Sequence, residues 1–300
     1  MSPITVRAPA KLNLQLTVGA PGADGYHDIA TVFHAVSLFD DVTALPGDHL
    51  TVSVDGEGAD EVPEDEGNLV MVAARALAEH TGVEAQAHIH VHKAIPVAGG
   101  MAGGSADAAA ALVALDRLWQ TRVDRDDMQT LAAGIGSDVP FGLVGHTAVG
   151  LGRGERLNPA LARGRFHWVF AFAAQGLSTD VVYDELDRLR AGSIQAEPRV
   201  SDELMTALRA GDAVALGRSL SNDMQRAAVS LQPGLAMTLD VGAEYGALGS
   251  VVCGSGPTCA FLARDEEHAL DLAVALTASG TCRSVKSATG PAAGARVVES

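Results

Sequence analysis

Residues 96–106 read PVAGGMAGGSA, and this stretch governs how the rest of the chain is understood. A strand-like run, AHIHVHKAI (Ala87–Ile95), leads into it, and an alanine-rich helix predicted over Asp107–Gln120 follows it. Glycine lets a backbone approach a ligand closely and adopt positive φ. The first turn of a helix carries unpaired N–H groups and the positive end of the helix dipole. A glycine turn opening into a helix is therefore a cradle for phosphate. Ser105 can cap that helix or donate its hydroxyl to a phosphate oxygen. Two familiar glycine patterns fail. A Walker A loop needs lysine after its last glycine, and Ser105 stands there. A dinucleotide fingerprint begun at Gly99 would need glycine where Met101 stands. A tight turn without ligand has little use for four glycines in six positions (Gly99, Gly100, Gly103, Gly104), so the loop reads as a phosphate site, without saying which phosphate.

Three hundred residues, 47% of them hydrophobic, fit one large domain or two modest ones. No apolar run approaches the roughly 20 residues of a membrane span. The first residues, MSPITVRAPAKLNL, lack the charged and apolar regions of a signal peptide. Cys253, Cys259 and Cys282 have no metal-type spacing and suit reduced thiols in the cytoplasm. A net charge of −16 argues against a duplex nucleic-acid partner but not against a small anionic substrate. Of 21 basic residues only three are lysine: Lys11, Lys93 and Lys286. A chain that otherwise uses arginine keeps lysine where a compact ammonium serves better than a planar fork, or keeps it by chance.

The first stretch, ITVRAPAKLNLQLTVG, predicts a strand pair or a bent strand, with a bulge or edge near Lys11 because Pro9 interrupts it. DHLTVSVDG (Asp48–Gly56) predicts another strand, and a helix follows Asn68. A short helix over Asp124–Ala133, a hairpin in HTAVGLGRGERL, and a buried strand in WVFAFA come next. Helices dominate Thr179–Tyr245, VVCGSGPTCAFLA is strand–turn–strand, and a last helix (Glu266–Ala278) and strand (Cys282–Ser287) close the fold. The mixed order predicts α+β, with a domain boundary near Asn158–Gly164 and a partly loose tail over Gly290–Ser300.

Several residues could carry chemistry. Asp138, in GSDVPF, is a helix N-cap or a carboxylate facing a phosphoryl acceptor. Lys11 is an exposed strand lysine or an ammonium that neutralises a transferring phosphoryl group. Tyr26, in the turn ADGYH, stacks on a base or folds over its own turn. His88, His90 and His92 share one strand face, which is a solvated face or, less simply, a zinc site. GSGPT (Gly254–Thr258) is a tight hairpin, or an anion nest if it meets the first loop in space.

Together these motifs carry a resemblance that no one of them carries alone. PVAGGMAGGSA resembles the phosphate loop of the GHMP kinases, the superfamily of galactokinase, homoserine kinase and mevalonate kinase. APAKLNL and GSGPT resemble its first and third motifs, and ADGYH and GSDVPF resemble the members whose acceptor alcohol carries a cytidine diphosphate. The resemblance runs from Ala8 to about Lys286. It implies a two-domain α+β fold: an N-terminal ATP-binding domain with a mixed sheet over residues 1–160, and a C-terminal α/β sandwich-like domain over 161–300.

It also implies transfer of the γ-phosphate of ATP, accompanied by Mg2+, to the tertiary 2-hydroxyl of a small cytidyl diphosphate substrate of the non-mevalonate isoprenoid route. The implied enzyme is cytoplasmic, a monomer or homodimer, with no nucleic-acid or membrane partner. Lys11 and Asp138 are the implied catalytic pair. Pro96, Val97, Ala98, Gly99, Gly100, Met101, Ala102, Gly103, Gly104, Ser105 and Ala106 would wrap the ATP phosphates, with Asn68 and Lys93 nearby. Tyr26 and His27 would grip the cytosine, Tyr183 would close on its other face, and Asn13, Thr179 and Asp138 would complete the substrate pocket. The metal ligands are left open: the superfamily's metal-binding glutamate has no counterpart in this loop, so the magnesium is expected to be held mainly by phosphates and water. The family loop often reads GGGLGGGSS; here Ala98 and Ala102 replace glycines, and Ala106 removes a hydroxyl. The alternatives are a kinase of the homoserine or mevalonate type, which has no use for a paired aromatic and imidazole, or a nucleotide sensor, which needs neither Lys11 nor Asp138.

Overall fold

A computed structural model describes residues 2–23 and 25–298. In chain order its elements begin with β1 (Ile4–Pro21), β2 (His27–Leu45), β3 (Thr51–Gly56), α1 (Leu69–Thr81), β4 (His88–Lys93), α2 (Gly103–Trp119), α3 (Arg125–Ile135), α4 (Val139–Val144), β5 (Thr147–Gly152) and β6 (Arg156–Pro159). They continue with β7 (Phe166–Phe172), α5 (Thr179–Arg190), α6 (Asp202–Ala210), α7 (Ala213–Ser219), β8 (Ser221–Asn222), α8 (Gln225–Leu231), α9 (Gly234–Glu244), β9 (Gly249–Val252), β10 (Cys259–Ala263), α10 (Glu266–Ser279), β11 (Ser284–Gly290) and β12 (Arg296–Val297).

The long antiparallel pair β1–β2 frames the first sheet. Along its free side β2 pairs first with β5 and then with β4, whose other neighbour, β3, runs parallel to it. Proline cannot donate to a ladder, and the β1–β2 register shifts between Pro9 and Ala10, as expected beside Lys11. The other edge of β1 is met by β12 at Val6–Arg7 and by β8 at Gln15–Leu16. Between those contacts the Lys11 N–H donates to the carbonyl of Met101 at 3.2 Å, so the glycine loop itself covers the open stretch of edge. The second sheet is antiparallel, in the order β11-β7-β10-β9.

Helix α2 is the central pillar. Its alanines let it approach closely, and Ala106, Ala108 through Leu112, Ala114 and Leu115 are buried in one core. That core also takes in Trp168, Phe170 and Phe172 of the second sheet and Leu204 and Leu208 of α6. The opposite face of the second sheet packs Val169, Cys259 and Phe261 against Leu272 and Leu276 of α10. His34 of β2 is fully buried within the fold: its Nδ1 meets the Thr147 hydroxyl at 2.9 Å and its Nε2 has no partner. Burial pushes its pKa down to about 3.

Two elements differ from the sequence expectation. Helix α2 begins at Gly103 rather than Asp107, so the second pair of glycines is already helical. Residues 291–298 are tied down: Ala293 bridges Gly145, and β12 pairs with β1; the last two residues of the expected loose tail, Glu299 and Ser300, lie outside the described residues. Both segments lack the apolar periodicity that marks an element in sequence. The histidine face of β4 is spent on β3: His88 and His90 bond the Ser53 hydroxyl and His92 meets Asp55. Ile89 and Val91 point inward. Among the described residues no cluster of three or more His, Cys, Asp or Glu is arranged to hold a metal.

The alanines that replace family glycines sit at φ +51° (Ala98) and +56° (Ala102), where a Cβ is strained. Ala98→Gly and Ala102→Gly are each expected to raise stability by about 1 kcal/mol, since relief of left-handed strain outweighs the added unfolded-state entropy. Thermal unfolding checks this, and a lower Tm in both contradicts it. His34, neutral when folded, gains a proton only on unfolding. Its stabilising contribution is therefore present above about pH 6.5 and is lost toward about pH 3, by up to ~1.4 kcal/mol per unit. Urea unfolding at pH 7.5 and 5.5 is expected to show a smaller pH loss in His34→Gln than in the unmodified chain; equal losses contradict the assignment.

Candidate active site

The two glycine turns meet. Gly100 lies against the carbonyl of Cys253, where a side chain would overlap that oxygen, and its φ of +74° also favours glycine. A Cβ on Gly99 would come 3.0 Å from the Thr258 hydroxyl, and one on Gly254 would come 3.2 Å from the Lys11 ammonium. GSGPT is thus no isolated hairpin: it closes over the Lys11 ammonium. A cleft of about 1530 Å³ opens there, lined by both turns, Lys11, Asp138 and the start of α5.

Lys11 is buried, and its Nζ donates to Asn13 Oδ1 at 2.8 Å. The Asn13 amide in turn donates to the Thr31 hydroxyl, which donates to the Gln15 carbonyl. This chain of bonds fixes the ammonium 3.6 Å from Asp138 Oδ2. Asp138 does stand at the N-cap of α4, with Pro140 in the first turn, but its side chain makes no capping bond, so the carboxylate faces Lys11 instead. Phe141 of α4 stacks on Phe33 of β2 with centroids 4.9 Å apart. A Cβ on Gly142 would come 2.7 Å from that of Ala109, so the glycine lets α4 lie close on α2. PFG in GSDVPFG is the packing that holds Asp138 in place.

Of the loop residues, Pro96, Val97, Ala98, Gly99, Gly100, Ala102, Gly103, Gly104 and Ser105 line the cleft. Met101 and Ala106 do not: their side chains are in the core, and the Ala106 N–H is spent on the Ala102 carbonyl. Ala106 therefore costs no hydroxyl contact in the cleft, because its side chain points away from it. Asn68 borders the cleft, yet both its polar groups serve the local turn: Oδ1 caps α1 at Val70, and Nδ2 donates to the Pro63 carbonyl. Lys93 also borders the cleft, as does Asp107, and its ammonium is engaged by two carboxylates. Its ammonium lies beneath Gly103, between Asp40 at 2.5 Å and Asp107 at 2.6 Å. Burial alone would lower its pKa, but the two carboxylates hold it above the ordinary lysine value. Burial drives Asp107 well above the usual carboxylate range, and its Oδ1 has no partner. Asp40 also accepts the N–H groups of Ala94 and Ile95. Sequence reasoning missed this triad because its members are scattered over 68 residues with no motif among them.

The cleft mouth differs from a simple two-sided clamp. Tyr183 stacks on His27, with centroids 4.9 Å apart and planes at 23°, rather than standing opposite Tyr26. The Tyr26 ring, 57% exposed, lies 3.6 Å beneath the Arg153 guanidinium. Arg153 comes from the β5–β6 turn and carried no sequence signal. His27 Nε2 meets Asp187 Oδ1 of α5 at 3.0 Å. Burial, with the nearby charge of Asp138, pushes the Tyr183 phenol up to about 12. Thr179 opens α5 and shares a 3.0 Å hydrogen bond with Ser255 of the second turn. Asp24, in the ADGYH motif, lies outside the described residues.

Comparison with known proteins identifies the family. The GHMP kinase N-terminal domain model matches residues 68–148, and the GHMP kinase C-terminal model matches residues 204–282. The 4-diphosphocytidyl-2-C-methyl-D-erythritol kinase of Thermobifida fusca is 55% identical over 98% of both chains. A crystal structure of 4-(cytidine 5'-diphospho)-2C-methyl-D-erythritol kinase superposes with a TM-score of 0.78 at 31% identity, covering 95% of this chain and 98% of that one. A homoserine kinase from Cytophaga hutchinsonii has a TM-score of 0.74, but at 19% identity, over 99% of this chain and 98% of that one, it shares the fold alone. With the Gly99–Gly104 loop, the Lys11–Asp138 pair and the closing glycine turn assembled around one cleft, the chain belongs to the 4-diphosphocytidyl-2-C-methyl-D-erythritol kinase family of the GHMP kinases.

Proposed function

We propose that this chain phosphorylates the 2-hydroxyl of 4-diphosphocytidyl-2-C-methyl-D-erythritol with ATP, in the cytoplasm, as a step of non-mevalonate isoprenoid synthesis. The observation that carries the reading is the Lys11–Asp138 pair, 3.6 Å apart, in the cleft that both glycine turns line. A hydroxyl acceptor loses its proton as the phosphoryl group arrives, and a loose transition state needs little base strength. Asp138 accepts the hydroxyl proton in a hydrogen bond and aims the oxygen. Lys11, held by Asn13, offsets charge building on the transferring group. The loop amides and the first turn of α2 receive the nucleotide phosphates.

The rings at the mouth favour a cytidyl acceptor over homoserine or mevalonate. Tyr183 and Tyr26 offer π faces and His27 a polar edge, for which an acceptor without a base has no use. Asp180, Asp184 and Asp187 make the α5 side of the cleft acidic, so the nucleotide enters best as its magnesium complex. The fit is to an ion carried by the phosphates: Ser105 and Asp138 supply nearby oxygens, and no prebuilt metal cluster exists among the described residues. Bound there, magnesium would neutralise phosphate charge. We also propose the division near residues 158–164: most of the sheet framed by β1 and β2 precedes it, the second sheet follows it, and the short strands β8 and β12 return to β1. The association state we propose is monomer or homodimer.

Asp138→Asn is expected to bind ATP within about twofold of the unmodified chain and to lose about 10²- to 10⁴-fold in kcat. Calorimetry with ATP and a steady-state assay check the two parts. Full turnover in this variant overturns the mechanism.

A further inference from the structure

Lys286 is the one lysine left without a role, yet it reaches the same loop as the other two. It stands on β11, in the second sheet, and its Nζ donates across to the Ala94 carbonyl at 2.7 Å. Glu57, just past β3, pairs with the same ammonium and takes a bond from Arg283 on its other oxygen at 3.2 Å. The Glu57 N–H donates to the Lys93 carbonyl at 2.9 Å. On the other side of the Ala94 residue, its N–H donates to Asp40 at 2.6 Å. The two residues that lead into Pro96 are thus gripped from the first sheet by Asp40 and from the second by Lys286.

We infer that Lys286 is a positioning residue for the phosphate loop, setting the height and angle at which Pro96–Ser105 presents its amides to the nucleotide. This rests on reading that loop as the ATP site. A carbonyl at a strand end is satisfied equally well by water, so hydrogen-bond satisfaction alone does not call for an ammonium from another sheet. A partly exposed ion pair contributes little to stability, whereas a small misplacement of binding groups costs affinity steeply. The geometry has what a positioning role requires: a compact donor, a carboxylate that holds it in one orientation, and a target two residues before the loop. Arg283 steadies Glu57 and does not itself touch the loop root.

The test compares Lys286→Met and Lys286→Arg with the unmodified full-length chain. Calorimetry with the β,γ-imido analogue of ATP and Mg2+ gives nucleotide affinity, and steady-state kinetics give KM for each substrate. Lys286→Met is expected to bind the analogue about tenfold more weakly, with KM for the cytidyl substrate unchanged. Lys286→Arg, which keeps donors toward both Ala94 and Glu57, is expected to recover most of the loss. Unaltered nucleotide affinity in Lys286→Met, or equal weakening of both substrates, overturns the inference. Should Lys286→Met fail to fold, Glu57→Gln loosens the same ammonium, and unaltered nucleotide affinity there is equally contradictory. Failure of the unmodified chain to bind the analogue overturns the kinase reading instead.

Discussion

The rest of the site depends on one close approach: the backbone of Gly100 against the carbonyl of Cys253. Any side chain at position 100 would overlap that oxygen, and a Cβ at Gly99 or at Gly254 would crowd to 3.0 Å from the Thr258 hydroxyl and the Gly100 carbonyl respectively. Only because the turns touch does Gly254 close over the Lys11 ammonium. The first turn also supplies the Met101 carbonyl that completes the ladder of β1 at Lys11. Loop, lysine and second turn therefore form one unit. Asp138 joins it through α4, which packs on α2 and β2 by Gly142 and Phe141.

Charge is arranged around that unit at two depths. At the cleft, among the described residues, Lys11 has one hydrogen-bonded partner, Asn13, one looser ionic neighbour, Asp138, and the Phe33 ring 5.8 Å away. Beneath the loop, Lys93 is consumed by two carboxylates. Removing that lysine would leave two buried acids uncompensated, the situation in which broken buried pairs cost most. Both ammoniums sit close under glycines, Lys93 under Gly103 and Lys11 under Gly254, each 3.2 Å from where a Cβ would stand.

How much of this was legible in the sequence differs by residue. The loop, the GSGPT turn and the Asp138 segment were visible because glycine and proline mark backbone conformations locally. The bulge beside Lys11 was visible through Pro9. Helix α2 begins earlier than expected because Gly103 and Gly104 are poor helix formers held there by tertiary contacts. Asp40, Asp107 and Asp187 were invisible as partners: Asp40 and Asp187 act through residues tens of positions away, and Asp107 reaches 14 residues back to Lys93 across the glycine loop. The ring cluster was half visible: Tyr26, His27 and Tyr183 were named, but the pairing of Tyr183 with His27 and of Tyr26 with Arg153 is set by the fold of the cleft mouth.

The measurement that tests the account most directly is phosphoryl transfer followed by 31P NMR, with ATP and magnesium offered separately with the cytidyl diphosphate alcohol, homoserine and mevalonate. The account predicts a new phosphomonoester resonance with the cytidyl alcohol and none with the other two. Transfer to homoserine or mevalonate with none to the cytidyl alcohol would contradict it.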